Sequence, residues 1–386
     1  MTIEAARRTD QVSEYYFSRK LKEIEKMNAK GMEVINLGIG NPDLPPPIQA
    51  IEKAKEYISK ENGHGYQSYR GTIEFRNSIS AWYEKYYGVT LDSENEVLPL
   101  MGSKEGIFYI SMAFLNPGET ALVPDPGYPS YASVTRLIGG EVLPYELKEE
   151  NSWFPDLNSL EEHDLTNVKI MWVSYPHMPT GAIPTEKLFR DLIKFGLRNN
   201  ILICLDNPYS FILNKNPLSI FSVPESKQVA LELNSLSKSH NMAGWRLGML
   251  SGRNDYIEKV LKVTSNIQSG MFLALQKAAI EALNLPVSWY DNLNSVYESR
   301  REHAWDILDQ LACSYEKKQA GLFVWAKIPE KEIDSYSYSD RILEKTKVFI
   351  TPGAIFGEQG KNYLRISICN DIAVLEKAGN RIIKDL

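Results

Sequence analysis

From residue 120 onward, short apolar runs alternate with longer amphipathic stretches. The runs at 120–123, 141–145, 169–174, 201–205, 228–234 and 247–251 read as strands, and 129–138 and 185–199 between them read as helices. Strands this uniformly apolar belong in a sheet covered on both faces, and helical crossovers make such a sheet parallel. Before residue 120 the pattern predicts a helix over 13–30 that carries Tyr15, Tyr16 and Phe17 and ends at Gly31, a first helix or arm docking on something larger. A short strand from Val34, helices over 48–60 and through Tyr87, and an apolar helix over 107–115 follow. Helices dominate 254–312, and a mixed tail holds strand-like runs at 321–328, 348–350 and 363–368. The expectation is an α/β protein with a large domain over 46–290, built on a mostly parallel sheet covered by helices. A smaller α+β domain over 291–386 would pack with an N-terminal arm, 1–45.

Composition changes this picture by exclusion. A chain of 386 residues supports a large core, and its formal charge of −6, without long blocks of one sign, offers no footprint for nucleic acid or an anionic membrane. No apolar run approaches a membrane span, and the three distant cysteines, Cys204, Cys313 and Cys369, imply buried thiols in the cytoplasm. The five histidines have no Cys or His neighbour at ligand spacing, so no metal site is assigned.

The chemistry gathers around Ser235-Leu236-Ser237-Lys238, with Arg246 eight residues after the lysine. Lys238 follows an apolar strand, so its amine emerges at a carboxyl end, where α/β proteins build sites. An amine becomes nucleophilic near neutral pH when burial and a nearby cation lower its pKa; Arg246 is that cation or a phosphate clamp. Three further features fall at expected strand ends. Gly102-Ser103-Lys104 opens a helix, which suits a phosphate or is a plain serine cap. Asp206-Asn207-Pro208-Tyr209 offers a metal ligand, a general base or the partner of a protonated heterocycle, and no second carboxylate or histidine nearby supports the metal. Pro124-Asp125-Pro126-Gly127-Tyr128-Pro129-Ser130-Tyr131 is an aromatic loop. Pyridoxal phosphate, with its aldehyde, phosphate and basic ring nitrogen, accounts for all four.

With those motifs in view, the chain resembles class I/II aminotransferases of the aspartate aminotransferase superfamily, fold type I, from Leu37-Gly38-Ile39-Gly40-Asn41-Pro42-Asp43 to Tyr363-Leu364-Arg365-Ile366-Ser367. The resemblance implies that Lys238 holds the cofactor as a Schiff base and shuttles the proton. Asp206 would pair with the ring nitrogen, Tyr209 with the ring hydroxyl, and Tyr128 would stack on the ring. Ser103, Lys104, Ser235 and Arg246 would cradle the phosphate, joined by Tyr66 from a neighbouring subunit of a homodimer. Arg365 would bind the substrate α-carboxylate, supported by backbone at Gly40. Where the family has Asn-Pro-Thr-Gly, this chain has Met178-Pro179-Thr180-Gly181, so a thioether replaces the amide expected to donate to the ring hydroxyl. The implied reaction moves an amino group from an L-amino acid to a 2-oxo acid. A lyase or decarboxylase on the same fold, or a cofactor-binding regulator, is the alternative, and the lack of a basic DNA-reading segment speaks against the regulator. No arginine lies in 265–270, where a reader of a distal carboxylate is sought, and Tyr15, Tyr16, Phe17, Ile39 and Phe356 offer an apolar wall. A neutral or aromatic donor is therefore expected, with Arg19 as the cation that could still recognise an acid.

Overall fold

The computed structural model describes every residue except Met1, Thr2, Ser13 and Tyr15. Seven strands form the central sheet: β1 (Val97–Leu100), β2 (Thr120–Asp125), β3 (Glu141–Glu146), β4 (Val168–Ser174), β5 (Leu202–Asp206), β6 (Ala230–Ser235) and β7 (Gly248–Gly252). Their order is β1-β7-β6-β5-β4-β2-β3. All the neighbouring pairs are parallel except those of β7, which runs antiparallel to both β6 and β1. The sheet is mostly parallel, as expected from the apolar runs, and β7 is the strand that departs. The reversal has a use: β7 starts at the edge where its neighbours end, so Arg246, just before it, arrives beside the ends of β5 and β6.

Both faces of the sheet are covered, as its composition demands. Along β4, Met171 and Val173 belong to one buried cluster and Ile170 and Trp172 to another, so the alternating side chains fill two cores. Burial of each such side chain stabilises by roughly 1.5–3 kcal/mol. β1 went unread in the sequence because it spans four residues and contains Pro99; as an edge strand it tolerates the missing donor.

The two ends of the chain meet. Strand Ile35–Asn36 pairs in parallel with Val348–Phe349, and Phe323–Lys327 pairs antiparallel with Tyr363–Ser367 in a second, four-stranded sheet. The glycine-rich bend at residues 38–43 is tied to the long helix Val287–Gln310 by Arg300, whose guanidinium donates to both Asp43 oxygens at 2.6 and 2.9 Å. This fork fixes the bend against the rest of the molecule.

Candidate active site

A cavity of about 760 Å³ opens at the carboxyl edge of the sheet. Register places Ser174 beside Asp206 and Asp206 beside Leu233, so the ends of β4, β5 and β6 present Ser174, Asp206 and Ser235 in a row. All three line the cavity, as do Ser103, Lys104, Tyr128, Tyr209, Lys238, Arg246, Gly40 and Arg365. Ten of the residues singled out in the sequence thus share one wall with Ser174. Tyr66 does not: its side chain is 93% exposed and lies outside the cavity of its own chain.

One end of the cavity is built to hold an anion. The helix Ser103–Phe114 starts there, and its capping Gly102 has φ 94°, a conformation that side chains disfavour. A Cβ on Gly102 would sit 2.2 Å from Arg246 Nη2, so only glycine lets the guanidinium lie against the helix start. Ser235 caps the short helix Leu236–Ser239, its Oγ accepting from the Ser237 N–H at 3.1 Å and lying 2.9 Å from Ser237 Oγ. Exposed helix amides, hydroxyls and a guanidinium converging on one corner are the donor set of a phosphate site.

In the middle of the cavity Asp206 is buried. Its Oδ2 accepts from Tyr131 OH at 2.8 Å, while Oδ1 is buried with no partner among the described residues. Burial raises its pKa to about 6, and the tyrosine bond opposes the rise. An unsatisfied carboxylate oxygen is costly unless something cationic or donating meets it. A protonated ring nitrogen fits that demand, so the donor set matches the pyridoxal phosphate implied by the motifs. Tyr131 closes the aromatic loop read in the sequence but was given no role there; it lies three residues after Tyr128 and stacks on buried Trp172 with ring centroids 5.1 Å apart.

Lys238 enters from the short helix after β6, and its Nζ donates to the Gly40 carbonyl at 2.7 Å. Its pKa is lowered, first by burial and further by the charges of Arg365 and Arg246, against an opposing contribution from Cys369. Gly40 is held to its size because a Cβ there would stand 2.1 Å from Phe323 Cζ. At the opposite end, Arg365 Nη2 donates to the Gly38 carbonyl at 2.9 Å, so its backbone partner is Gly38, and the Gly40 carbonyl is taken by the lysine. The guanidinium centre lies 3.7 Å from the Phe323 ring centroid, 4.6 Å from Phe356 and 5.5 Å from Phe17. Met178 Sδ accepts from Arg365 Nη1 at 3.2 Å, a contact the motif comparison did not foresee.

The apolar wall is only partly as expected. Phe17, Ile39 and Phe356 line the cavity, whereas Tyr16 packs on Phe17 and Tyr336 outside it, and Tyr15 lies outside the described residues. Neither Arg19 nor the stretch 265–270 reaches the lining; Gly270 packs against the backbone of Gln67 instead. Lys22 and Glu25, not singled out in the sequence, stand at the wall. Amphipathic spacing along the first helix was the signal that could have found them.

The family model for aminotransferase class I and II matches residues 32–382. An LL-diaminopimelate aminotransferase of Halothermothrix orenii is 39% identical over 368 residues, covering 95% of this chain and 94% of that one. The enzyme of the same name from Aquifex aeolicus is 38% identical, covering 95% of each. Among solved structures, apo-BacF of Bacillus subtilis superposes with a TM-score of 0.96 at 33% identity, covering 100% of this chain and 99% of its own. A mutant Thermus thermophilus aspartate aminotransferase, 22% identical with a TM-score of 0.92, shares the fold.

Proposed function

Because this chain belongs to the class I and II aminotransferases and is therefore a pyridoxal-phosphate enzyme of fold type I, we propose that it takes the amino group of a long L-amino acid resembling LL-diaminopimelate and passes it to a 2-oxo acid. The observation that carries the reading is the line from Asp206 through Lys238 to Arg365 in one cavity. Bound there, the cofactor supplies an electron sink for the charge left when a donor loses its α-proton.

The protein's own groups do the rest. Ser103, Lys104, Ser235 and Arg246 would hold the phosphate, and the Asp206 carboxylate would keep a ring nitrogen protonated. Tyr209 would donate to the ring hydroxyl and Tyr128 would cover the ring. Arg365 binds the α-carboxylate through its planar fork, which orients the α-carbon towards Lys238. The Lys238 amine, its pKa lowered mainly by burial, would hold and move the α-proton at Nζ. The aromatic rings around Arg365 exclude water from that charge pair.

Two observations shape the donor. The inner wall is apolar, with Phe17, Leu21, Ile39 and Phe356, which suits an uncharged stem, but the neutral or aromatic donor expected from the sequence gives way to the donor for which the relatives are named. The mouth adds Lys22 and Glu25, of which an aromatic or aliphatic donor would leave the Glu25 carboxylate unmet, and the relatives cited above are named for a donor with a second amino-acid head. The active unit is a homodimer: Tyr66, Tyr69, Ile267 and Phe272 are exposed on two adjoining loops, where His64 stacks on Phe272, and a partner would cover them. Its location is the cytoplasm, where three buried free thiols stay reduced.

Mixing the holoenzyme with single donors and no acceptor tests the reading. One equivalent of 2-oxo acid per site, with the amino group retained on the cofactor, supports transfer, and LL-diaminopimelate should give the highest kcat/KM of the donors tried. Release of ammonia or carbon dioxide in place of the 2-oxo acid overturns it.

A further inference from the structure

The helix Tyr16–Ala29 lies along the cavity and turns one stripe towards it, made of Phe17, Ser18, Leu21, Lys22 and Glu25. Residues 17, 21 and 25 are four apart and so stack on one face. The helix works as a ruler. Its zero is Phe17, whose ring centroid is 5.5 Å from the Arg365 guanidinium centre. With a rise of about 1.5 Å per residue, Lys22 follows about 7.5 Å along the axis and Glu25 about 12 Å along it. Between these points stands apolar Leu21.

The two charges differ in their surroundings. Lys22 Nζ is held at 2.6 Å by Glu14, which does not line the cavity, so the ammonium is placed at the wall by a residue behind it. Glu25 has no hydrogen-bond or ion-pair partner among the described residues. A cation followed by an uncommitted anion, beyond an apolar interval, is complementary to a molecule with the reverse order of charge at its far end. The dimensions also agree: a stem of three methylenes separates the two α-carbons of a diamino diacid by about 5 Å, and Lys and Glu side chains span the remaining distance to the helix.

We infer that Lys22 and Glu25 form a distal subsite on the first helix, in which Lys22 binds the far carboxylate of the amino donor and Glu25 its far ammonium. The inference rests on the donor reading proposed above and assigns residues to it. Among the described residues, neither Lys22 nor Glu25 has a hydrogen bond or ion pair to the cofactor corner or Arg365, so the subsite binds the ground state and the transition state alike. Its loss then appears in KM with kcat retained.

Four donors with comparable stems separate the two charges: LL-diaminopimelate carries both, L-2-aminopimelate only the far carboxylate, L-lysine only the far ammonium and L-norleucine neither. Lys22→Met should raise KM about tenfold for diaminopimelate and aminopimelate, leaving lysine and norleucine within about twofold. Glu25→Gln should do the same for diaminopimelate and lysine alone. Unchanged melting temperatures and kcat values within about twofold accompany that result. If either variant shifts all four donors equally, or none, while the wild type still prefers diaminopimelate to norleucine, the subsite is overturned and the donor reading stands. If the wild type prefers norleucine, the donor reading itself falls, and the subsite with it, before any variant is made.

Discussion

Asp206 illustrates how a single side chain trades stability for binding. Its carboxyl titrates at about 6 in the fold, against 3.8 as the ordinary value. The folded apoprotein therefore keeps a proton that the unfolded chain has released between those values. Stability falls as pH rises through that window, and the whole penalty, roughly 3 kcal/mol at most, is present above about pH 6. Asp206→Asn keeps an acceptor for Tyr131 without the charge. As apoprotein it should melt above the wild type at pH 7.5, by the equivalent of about 2–3 kcal/mol, and the gap should shrink towards pH 4. Calorimetry at several pH values measures this, and a lower melting point at pH 7.5 would refute it. The same variant should bind the cofactor more weakly, since nothing anionic then faces the ring nitrogen. For Lys238, borohydride reduction of the holoenzyme should fix the cofactor to that residue in a peptide map, and Lys238→Ala should bind cofactor without turning over. Attachment at another lysine would dismantle the site as drawn. Asp206 and Lys238 were legible in the chain because the first ends an apolar strand and the second closely follows one. The role of Tyr131 was not, because which of two tyrosines turns inward depends on the Trp172 surface beneath it, a tertiary fact.

At the scale of elements, the anion corner depends on one backbone conformation. Gly102 at φ 94° leaves room for Arg246, and any Cβ there meets both an unfavourable dihedral and the guanidinium. Gly102→Ala should weaken cofactor binding at least tenfold by displacing Arg246 from the start of the helix Ser103–Phe114, with a smaller loss of thermal stability. Fluorescence titration with pyridoxal phosphate measures the effect, and wild-type affinity would count against this account of the corner. Most elements were legible because strands of five to seven residues and amphipathic helices leave a clear period. The direction of β7 was hidden because an apolar strand carries no mark of orientation; the tight connection through residues 236–247 sets it. The Met178 contact with Arg365 was hidden for a related reason, since the two residues lie on opposite sides of the fold's long connections and nothing local predicts their meeting.

For the whole molecule, the exposed Tyr66 loop makes a prediction about assembly. Sedimentation of the holoenzyme should show a dimer, and Tyr66→Phe should lower cofactor affinity several-fold without changing that mass. A fully active monomer would remove the reason for Tyr66 to reach another chain's phosphate. The caged guanidinium carries a different lesson, about order in time. Its three phenyl neighbours come from residue 17 and from residues 323 and 356, and the arginine itself is residue 365, whereas the cofactor corner is complete by residue 246. During synthesis the ribosome thus delivers every cofactor contact of one chain long before the receptor for the substrate's carboxylate exists. A chain ended before residue 365 has no grip on an amino acid's carboxylate, whatever else it has folded.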